Sequence, residues 1–198
     1  MSATSAPFGL RPAFHPSGLD RAQALAGGIA SAYGSDILKG QPVKYNPSAG
    51  TIVIATVGAV YSGAFAGVEW TDTTGRRRIS NYWPASTAYQ TGSCVAYFYN
   101  DANIVYEIQT DATIAQTALG GEYNFSATSG FTVSAGSTTT GLSTTALGVS
   151  TAVANAGQGQ MRVVDLAGYP GNAWGDPFVI VRVVNCQSQY FGSVTAIV

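Results

Sequence analysis

The feature that most constrains this chain is a series of short apolar runs, rich in β-branched or aromatic residues and ended by Gly, Pro or Asn. From Ile37 onward this pattern is typical of antiparallel sandwiches and barrels. No segment keeps apolar residues at helical spacing over three turns without Gly or Pro, so long helices are not expected. We predict an all-β fold, an antiparallel sandwich or barrel of jelly-roll-like type. The predicted strands are 41–45, 51–57, 63–70, 78–82, 94–99, 104–109, 161–167, 178–186 and 189–191.

The clearest candidate for a hairpin pairs residues 95–99 with residues 104–108. Both runs are rich in Val, Ile and Tyr, and Asn100-Asp101-Ala102-Asn103 between them favours turn geometry. We therefore predict that the two strands pair directly.

Two segments depart from the strand pattern. Residues 1–35, rich in Ala, Gly, Ser and Pro with at most a helical turn over 19–26, are predicted to form an extended arm ahead of a β domain at 36–198. Such an arm becomes ordered by lying on a partner, although a frayed terminus explains the composition equally well. A Ser/Thr/Gly-rich segment at 123–160 contains no charged residue and is predicted to be an insertion of weak strands, or a solvated loop.

The charge content points towards association with other chains. The 198 residues fit one domain, with 46% hydrophobic but only 10% charged residues and a net charge of −1. Globular domains usually carry about 25% charged residues, and a near-zero net charge promotes association. A monomer coated with hydroxyl groups is the alternative.

No apolar run approaches the roughly 20 residues of a membrane span, and the N-terminus lacks the pattern of a secretory signal, so we expect a cytoplasmic product that does not bind membranes.

The residues that enzymes use are sparse. His15 is the only histidine, and Cys94 and Cys186 are expected to be reduced unless their strands are neighbours. Zinc spacing and phosphate-binding loops are absent from the sequence, so no cofactor is expected. Carboxylate pairs are the one enzymatic possibility, as in glycosidases, but turn positions such as Asp72 favour Asx turns. We predict that the chain is not an enzyme. The carboxylate pairs considered are Glu69 with Asp72 and Asp165 with Asp176.

Residues 68–84 contain three of the nine basic residues and two of the three tryptophans. Arg and Trp are the side chains that most often anchor contacts between macromolecules. In a strand Arg76 and Arg78 would share one face and Arg77 the other, and all three follow a turn ending at Gly75. They either bind acidic groups of a partner protein or form a solvated edge, whereas Trp70 and Trp83 are either core or interface. Nucleic acid is a weaker candidate because the pI is 5.6 and no other basic stripe exists.

The order of several motifs along the chain resembles a family of structural proteins of tailed-bacteriophage virions. The resemblance covers most of the chain as far as Asp176 and is weakest in the Ser/Thr segment. The motifs are Pro7-Phe8-Gly9-Leu10-Arg11-Pro12, Phe65-Ala66-Gly67-Val68-Glu69-Trp70-Thr71-Asp72, Gly75-Arg76-Arg77, Tyr82-Trp83-Pro84-Ala85, the tyrosine-rich strands of the predicted hairpin, and Asn172-Ala173-Trp174-Gly175-Asp176.

This resemblance implies a cement or decoration protein that binds the outside of the major capsid shell and stabilises contacts between capsomers. Such proteins associate as dimers or trimers and extend arms over the capsid. The expected partners are the major capsid protein and further copies of this chain, and the expected location is the capsid exterior. The alternative is a tail or spike module that binds host-surface glycans through exposed Trp and Tyr. The candidate partner-binding residues are Arg76, Arg77, Arg78, Trp70, Trp83, Phe8, Arg11 and Phe14.

Overall fold

The computed structural model describes residues 4–18, 22–149, 153 and 158–190. Apart from a 3₁₀ helix at Gln116–Ala118, their regular structure is β-strand. The strands are β1 (Arg11–Phe14), β2 (Gln23–Ala26), β3 (Pro42–Asn46), β4 (Thr51–Ile54), β5 (Gly63–Thr71), β6 (Arg77–Ser80), β7 (Val95–Tyr99), β8 (Val105–Gln109), β9 (Glu122–Tyr123), β10 (Gly136–Ser137), β11 (Leu142–Ser143), β12 (Met161–Leu166) and β13 (Ile180–Asn185).

The strands form two main antiparallel sheets that pack together. The five-stranded sheet has the order β1-β8-β13-β12-β9, and the six-stranded sheet has the order β2-β7-β5-β3-β4 with β6 also paired to β5. Strands β10 and β11 form a separate two-stranded pair. The all-β antiparallel fold predicted from the sequence is confirmed.

Two apolar clusters stabilise this arrangement. The main core contains Tyr106, Val163 and Val183 of the five-stranded sheet together with Tyr61 and Ala64 near the start of β5. The second core lies on the other face of the six-stranded sheet and contains Phe65, Val68, Trp70, Trp83 and Phe98. Residues before β3 and after β6, such as Ile29, Ile37 and Cys94, complete it. The six-stranded sheet therefore buries side chains on both of its faces.

The predicted hairpin of residues 95–99 and 104–108 is wrong. Strand β7 pairs with β5 and β2 in one sheet, whereas β8 pairs with β13 and β1 in the other. Asp101 does form the expected turn, since its Oδ1 accepts the backbone N–H of Asn103 at 2.9 Å. The turn carries the chain between the sheets, because a turn sequence specifies a change of direction and not which strand the next segment will meet.

The prediction of an N-terminal arm separate from the β domain is not confirmed. Strand β1 is the edge of the five-stranded sheet and β2 is the edge of the six-stranded sheet, so the helical turn expected over 19–26 is also wrong for its described part. Leu10 and Ile29 are buried in the two cores. Both strands are short and poor in β-branched residues, so their pairing comes from tertiary contacts that local sequence does not encode.

The Ser/Thr/Gly-rich segment is largely packed against the domain where the structure describes it. Phe125, Ser143, Thr145 and Leu147 are buried, and Asp111 accepts the Ser126 hydroxyl at 2.6 Å and the Val149 N–H at 3.0 Å. Among the described residues of this segment, the two-residue strands β10 and β11 and Tyr123 at the end of β9 correspond to the weak strands expected here. Residues 150–152 and 154–157 lie outside the described part of the chain.

The remaining features concern single segments. Both cysteines are free, with Cys94 buried and Cys186 half-buried. Residues 189 and 190 form no strand, and residue 191 of that predicted strand lies outside the described range. Across the described residues there is no helix with the length and apolar character that a membrane crossing requires.

Candidate functional site

Trp70 and Trp83 are core residues and not contact residues of the free surface. Trp70 is 7% exposed and Trp83 is 0% exposed. Their rings meet edge to face at 5.5 Å, and Trp83 meets Tyr89 in the same way at 5.9 Å. Trp70 shares its strand face with the buried Val68, which explains its position because alternate residues of a strand face the same side. The hypothesis that these two rings bind a partner is therefore wrong for this conformation.

The carboxylate of Asp72 organises the turn between β5 and β6. Its Oδ1 accepts the Thr74 N–H at 2.9 Å, the Thr74 hydroxyl at 2.6 Å and the Arg76 N–H at 3.0 Å. Oδ2 accepts a hydrogen bond from Nε of Arg78 at 3.0 Å. These donors lower the pKa of Asp72, with the Thr74 hydroxyl as the largest cause. Gly75 closes the turn at φ +88°, a value that residues with a Cβ rarely adopt. The Asx turn expected for Asp72 is confirmed.

The three arginines of the hairpin have different surroundings. Arg77 bonds to Glu69 on the face opposite Trp70, and Tyr97 donates its hydroxyl to the same carboxylate at 3.1 Å. The bond from Arg77 is the main reason that the pKa of Glu69 is lowered. Arg78 pairs with Asp72, so the predicted separation of Arg77 and Arg78 onto opposite faces is observed. Arg76 is exposed, and among the described residues it has no ion-pair partner.

Ile79 completes the exposed side of this hairpin. It lies opposite Glu69 in β6 and is 74% exposed, the highest value among the large exposed apolar side chains of the described residues. We call Arg76, Arg77, Arg78 and Ile79 the hairpin surface. This surface spans both faces of β6, since Ile79 shares its face with Arg77 whereas Arg78 lies on the other face. Because Glu69 and Asp72 neutralise two of the three guanidinium groups, the hairpin surface combines an excess of one positive charge with an exposed apolar side chain. That combination suits a protein partner better than a nucleic acid backbone, which requires many free cations.

Phe8, Arg11 and Phe14 lie together on the outer face of the five-stranded sheet. Glu107, which was not among the predicted binding residues, lies with them. The guanidinium of Arg11 lies 4.4 Å from the ring centre of Phe8, and its Nη2 is 2.8 Å from Oε2 of Glu107. Phe14 is 46% exposed, and the guanidinium of Arg182 lies 5.7 Å from its ring centre. The candidate residues of the N-terminal segment are therefore grouped, but on a different sheet from the hairpin surface.

Glu107 is the centre of this group. Its side chain is only 7% exposed, and its carboxylate accepts the Tyr169 hydroxyl at 2.6 Å in addition to the bond from Arg11. The guanidinium of Arg182 lies 3.7 Å from the same carboxylate and 3.5 Å from the carboxylate of Asp165. The bond to Glu107 raises the pKa of Tyr169. The alternation of β8, which directs Tyr106 and Ile108 inward, is the sequence signal that would have placed Glu107 on the outer face.

Two open cavities adjoin this group and share Phe8 and Arg11 in their walls. One has a volume of about 360 Å³ and is also lined by Leu10, Lys39 and Tyr99. The other has a volume of about 390 Å³ and is also lined by Ala6, Gln109 and Tyr169. Their aromatic and apolar walls next to a cation can receive a side chain of another protein.

The only histidine takes part in a row that resembles a catalytic triad in composition. His15 Nδ1 accepts the backbone N–H of Ser17 at 3.0 Å and lies 2.5 Å from the Ser17 hydroxyl, while Nε2 is 3.0 Å from Oδ2 of Asp101. The Nδ1 lone pair is thus shared with a backbone donor within a local turn, which weakens its use as a base towards the hydroxyl. The arrangement fastens the end of β1 to the turn after β7.

The carboxylate pairs considered from the sequence take part in structural contacts. No three His, Cys, Asp or Glu side chains in that part of the chain converge to hold a metal ion. The pKa values of Glu69 and Asp72 are lowered by their arginine and hydroxyl partners, whereas a general acid requires a raised value. Asp165 is paired with Arg182, and Asp176 accepts the N–H of Ala173 at 3.1 Å within its own turn.

Comparison with models of protein families, with curated proteins and with solved structures finds no significant match to this chain.

Proposed function

We propose that this chain is a structural protein of a tailed-bacteriophage virion, a cement or decoration protein that binds the outside of the major capsid shell. It is made in the bacterial cytoplasm and associates with further copies of itself. The order of motifs along the sequence supports this proposal, as does a composition with few charges. The observation that carries it is the hairpin surface, where exposed Ile79 is flanked by guanidinium groups on an edge strand.

The hairpin surface has the properties of a protein-binding site. An exposed apolar side chain loses contact with water on binding, and the neighbouring arginines offer directional donors to carboxylates or carbonyl groups of the partner. The Asp72 turn and the Glu69–Arg77 pair hold this surface in place before binding, so little conformational entropy is lost on attachment. The capsid-binding role of the hairpin therefore depends on Ile79 as much as on the arginines.

The adhesion alternative depends on exposed Trp and Tyr side chains. Trp70 and Trp83 are buried and Trp174 packs against the main core, whereas Tyr169 and Tyr190 are exposed, so a glycan would have to bind through tyrosines and not through tryptophans. Copy number distinguishes the two functions, because a cement protein scales with the capsid protein and a spike does not.

Attachment is tested by mixing purified variants with heads that lack this protein and measuring the bound fraction by sedimentation. We expect Ile79→Asp to weaken attachment, with Leu119→Asp as a matched control because Leu119 is also exposed but lies near the 3₁₀ helix. The triple variant Arg76→Ala, Arg77→Ala, Arg78→Ala should fold and bind less well, losing about 0.2–1 kcal/mol for each contact removed, most clearly at low salt. If Ile79→Asp and the triple variant both saturate heads as the wild type does, the hairpin is a solvated edge.

A further inference from the structure

Four charged residues form a continuous row across the outer face of the five-stranded sheet. Arg11 of β1 lies opposite Glu107 of β8, Glu107 lies opposite Arg182 of β13, and Arg182 lies opposite Asp165 of β12. Across the four adjacent strands the signs are therefore plus, minus, plus and minus. With strands about 4.8 Å apart, this charged row is roughly 14 Å long.

The alternation of signs makes the charged row complementary to itself. A rotation of 180° about an axis parallel to the strands, midway between β8 and β13, reverses the order of the row in a second copy facing the first. Arg11 then faces Asp165 of the second copy, and Glu107 faces Arg182. A rotation about an axis along the row would instead place like charges opposite each other. Only the first arrangement gives an interface that uses the same surface on both copies with opposite charges in register.

The two ends of the charged row have the exposure that such contacts require. Side chains of Arg11 and Asp165 are 49% and 61% exposed, whereas Glu107 in the middle already accepts bonds from Arg11 and Tyr169. Arg182 and Asp165 are 3.5 Å apart, so the Asp165 carboxylate retains capacity for a further donor. Contacts between copies would therefore form at the ends without removing the bonds within each chain.

Apolar groups flank the charged row on the same face. Phe14 lies beside Arg182, Tyr169 bonds to Glu107, and Val164 is the extra residue of the bulge next to Asp165. These are three of the eight large exposed apolar side chains of the described residues. A net charge of −1 produces little repulsion between copies. A stable dimer buries about 800 Å² on each partner, and apolar rings around a central polar row supply the desolvated area that this needs.

We propose that the outer face of the five-stranded sheet is a homodimer interface with its twofold axis parallel to the strands, in which Arg11 pairs with Asp165 of the second copy. This interface joins two copies of the chain and is independent of the hairpin surface. It assigns Phe14 and Arg11 to contacts between copies. The hairpin surface of each copy stays free for a different partner.

The test is a charge exchange between two variants, followed by sedimentation velocity of the full chain without capsids. Asp165→Lys places two cations opposite each other and should weaken the dimer at least about tenfold, or ~1.4 kcal/mol. Arg11→Glu places two anions opposite each other and should weaken it similarly. Mixing the two variants restores both pairs, Lys with Glu and Arg with Asp, so the mixture should form heterodimers that are at least about tenfold tighter than the dimer of either variant alone. Lys44→Glu, on the other sheet, is the control and should dimerise as the wild type does.

Arg11→Glu places a second carboxylate beside Glu107, so a further variant is included in case that chain does not fold. Val164→Asp changes an exposed residue and should abolish dimerisation while circular dichroism and melting stay unchanged. A wild-type chain that remains a monomer at ~100 μM or forms a trimer would overturn the proposal. So would an Asp165→Lys variant that dimerises normally, or a mixture of folded variants that does not recover.

Discussion

Gln160 is fully buried, and its side-chain amide joins its own segment to the loop at 56–59 and to Phe125. Its Oε1 accepts the N–H groups of Gly58 at 2.9 Å and Phe125 at 3.1 Å, and its Nε2 donates to the carbonyl oxygens of Thr56 at 3.0 Å and Ala59 at 2.7 Å. Gln160→Leu keeps the size of the side chain but removes all four bonds. The N–H of buried Phe125 is then left without this acceptor.

Each lost bond costs a net 0.5–1.5 kcal/mol, and an unsatisfied buried N–H costs about 1–3 kcal/mol, so we expect Gln160→Leu to lower the free energy of unfolding by about 3–5 kcal/mol. For a chain of this size that corresponds to a decrease in Tm of roughly 6–20 °C. Urea denaturation followed by tryptophan fluorescence gives the free energy, and an unchanged m-value shows that the denatured state is the same.

Gln158→Leu is the matched control because it is the same substitution two residues earlier. Within the described part of the chain, the side chain of Gln158 donates one bond, from Nε2 to the carbonyl oxygen of Cys186 at 2.7 Å. We expect this variant to lose about 1 kcal/mol. If the two variants differ by less than about 1 kcal/mol, Gln160 does not join the loops in the way the structure indicates, and the reasoning is refuted.

Three further predictions address single residues. Trp83→Ala should destabilise the isolated chain by about 3–5 kcal/mol, measured by urea denaturation, because it opens a cavity in the second core. A variant that is as stable as the wild type would show that Trp83 is not buried in that core. Asp72→Asn should lower stability at pH 7, and its difference from the wild type should shrink steadily as the pH is lowered below 3.8: the pKa of Asp72 is lowered in the folded state, so its contribution is fully present above the ordinary value of 3.8 and is lost as the pH falls towards and through the folded-state pKa; a difference that stays constant on acidification would contradict this. Burial raises the pKa of Cys186 to about 11, so iodoacetamide at pH 8 should modify it slowly in the native chain and quickly in urea, and equal rates would contradict that environment.

The sequence predicted most of the strands that lie within the sheets. Runs such as those of β5, β12 and β13 contain enough β-branched and aromatic residues to be recognised locally, and their ends differ from the predicted ends by only a few residues. Strands β1 and β2 were missed because neither contains a β-branched residue, so nothing in their own composition distinguishes them from a loop. Pairing between β7 and β8 was predicted wrongly because adjacency in sequence does not specify the sheet to which a strand belongs.

The candidate surfaces were predicted in part. The alternation rule separated Arg77 from Arg78 correctly because register on an edge strand follows from the pleat. The same rule did not reveal whether Trp70 faced the core or the solvent, since that depends on which face of the six-stranded sheet the segments around Ile37 and Trp83 cover. The charged row on the other sheet was not predictable either. It exists only because four strands distant in sequence align Arg11, Glu107, Arg182 and Asp165 in register.

The central claim is that this chain coats the outside of a phage capsid, and an electron cryomicroscopy reconstruction of the intact virion tests it most directly. Our account predicts density that fits the two-sheet domain on the outer capsid surface, with the hairpin surface towards the shell and a copy number that scales with the capsid protein. Absence of the chain from purified heads, or its confinement to the tail, would contradict the account.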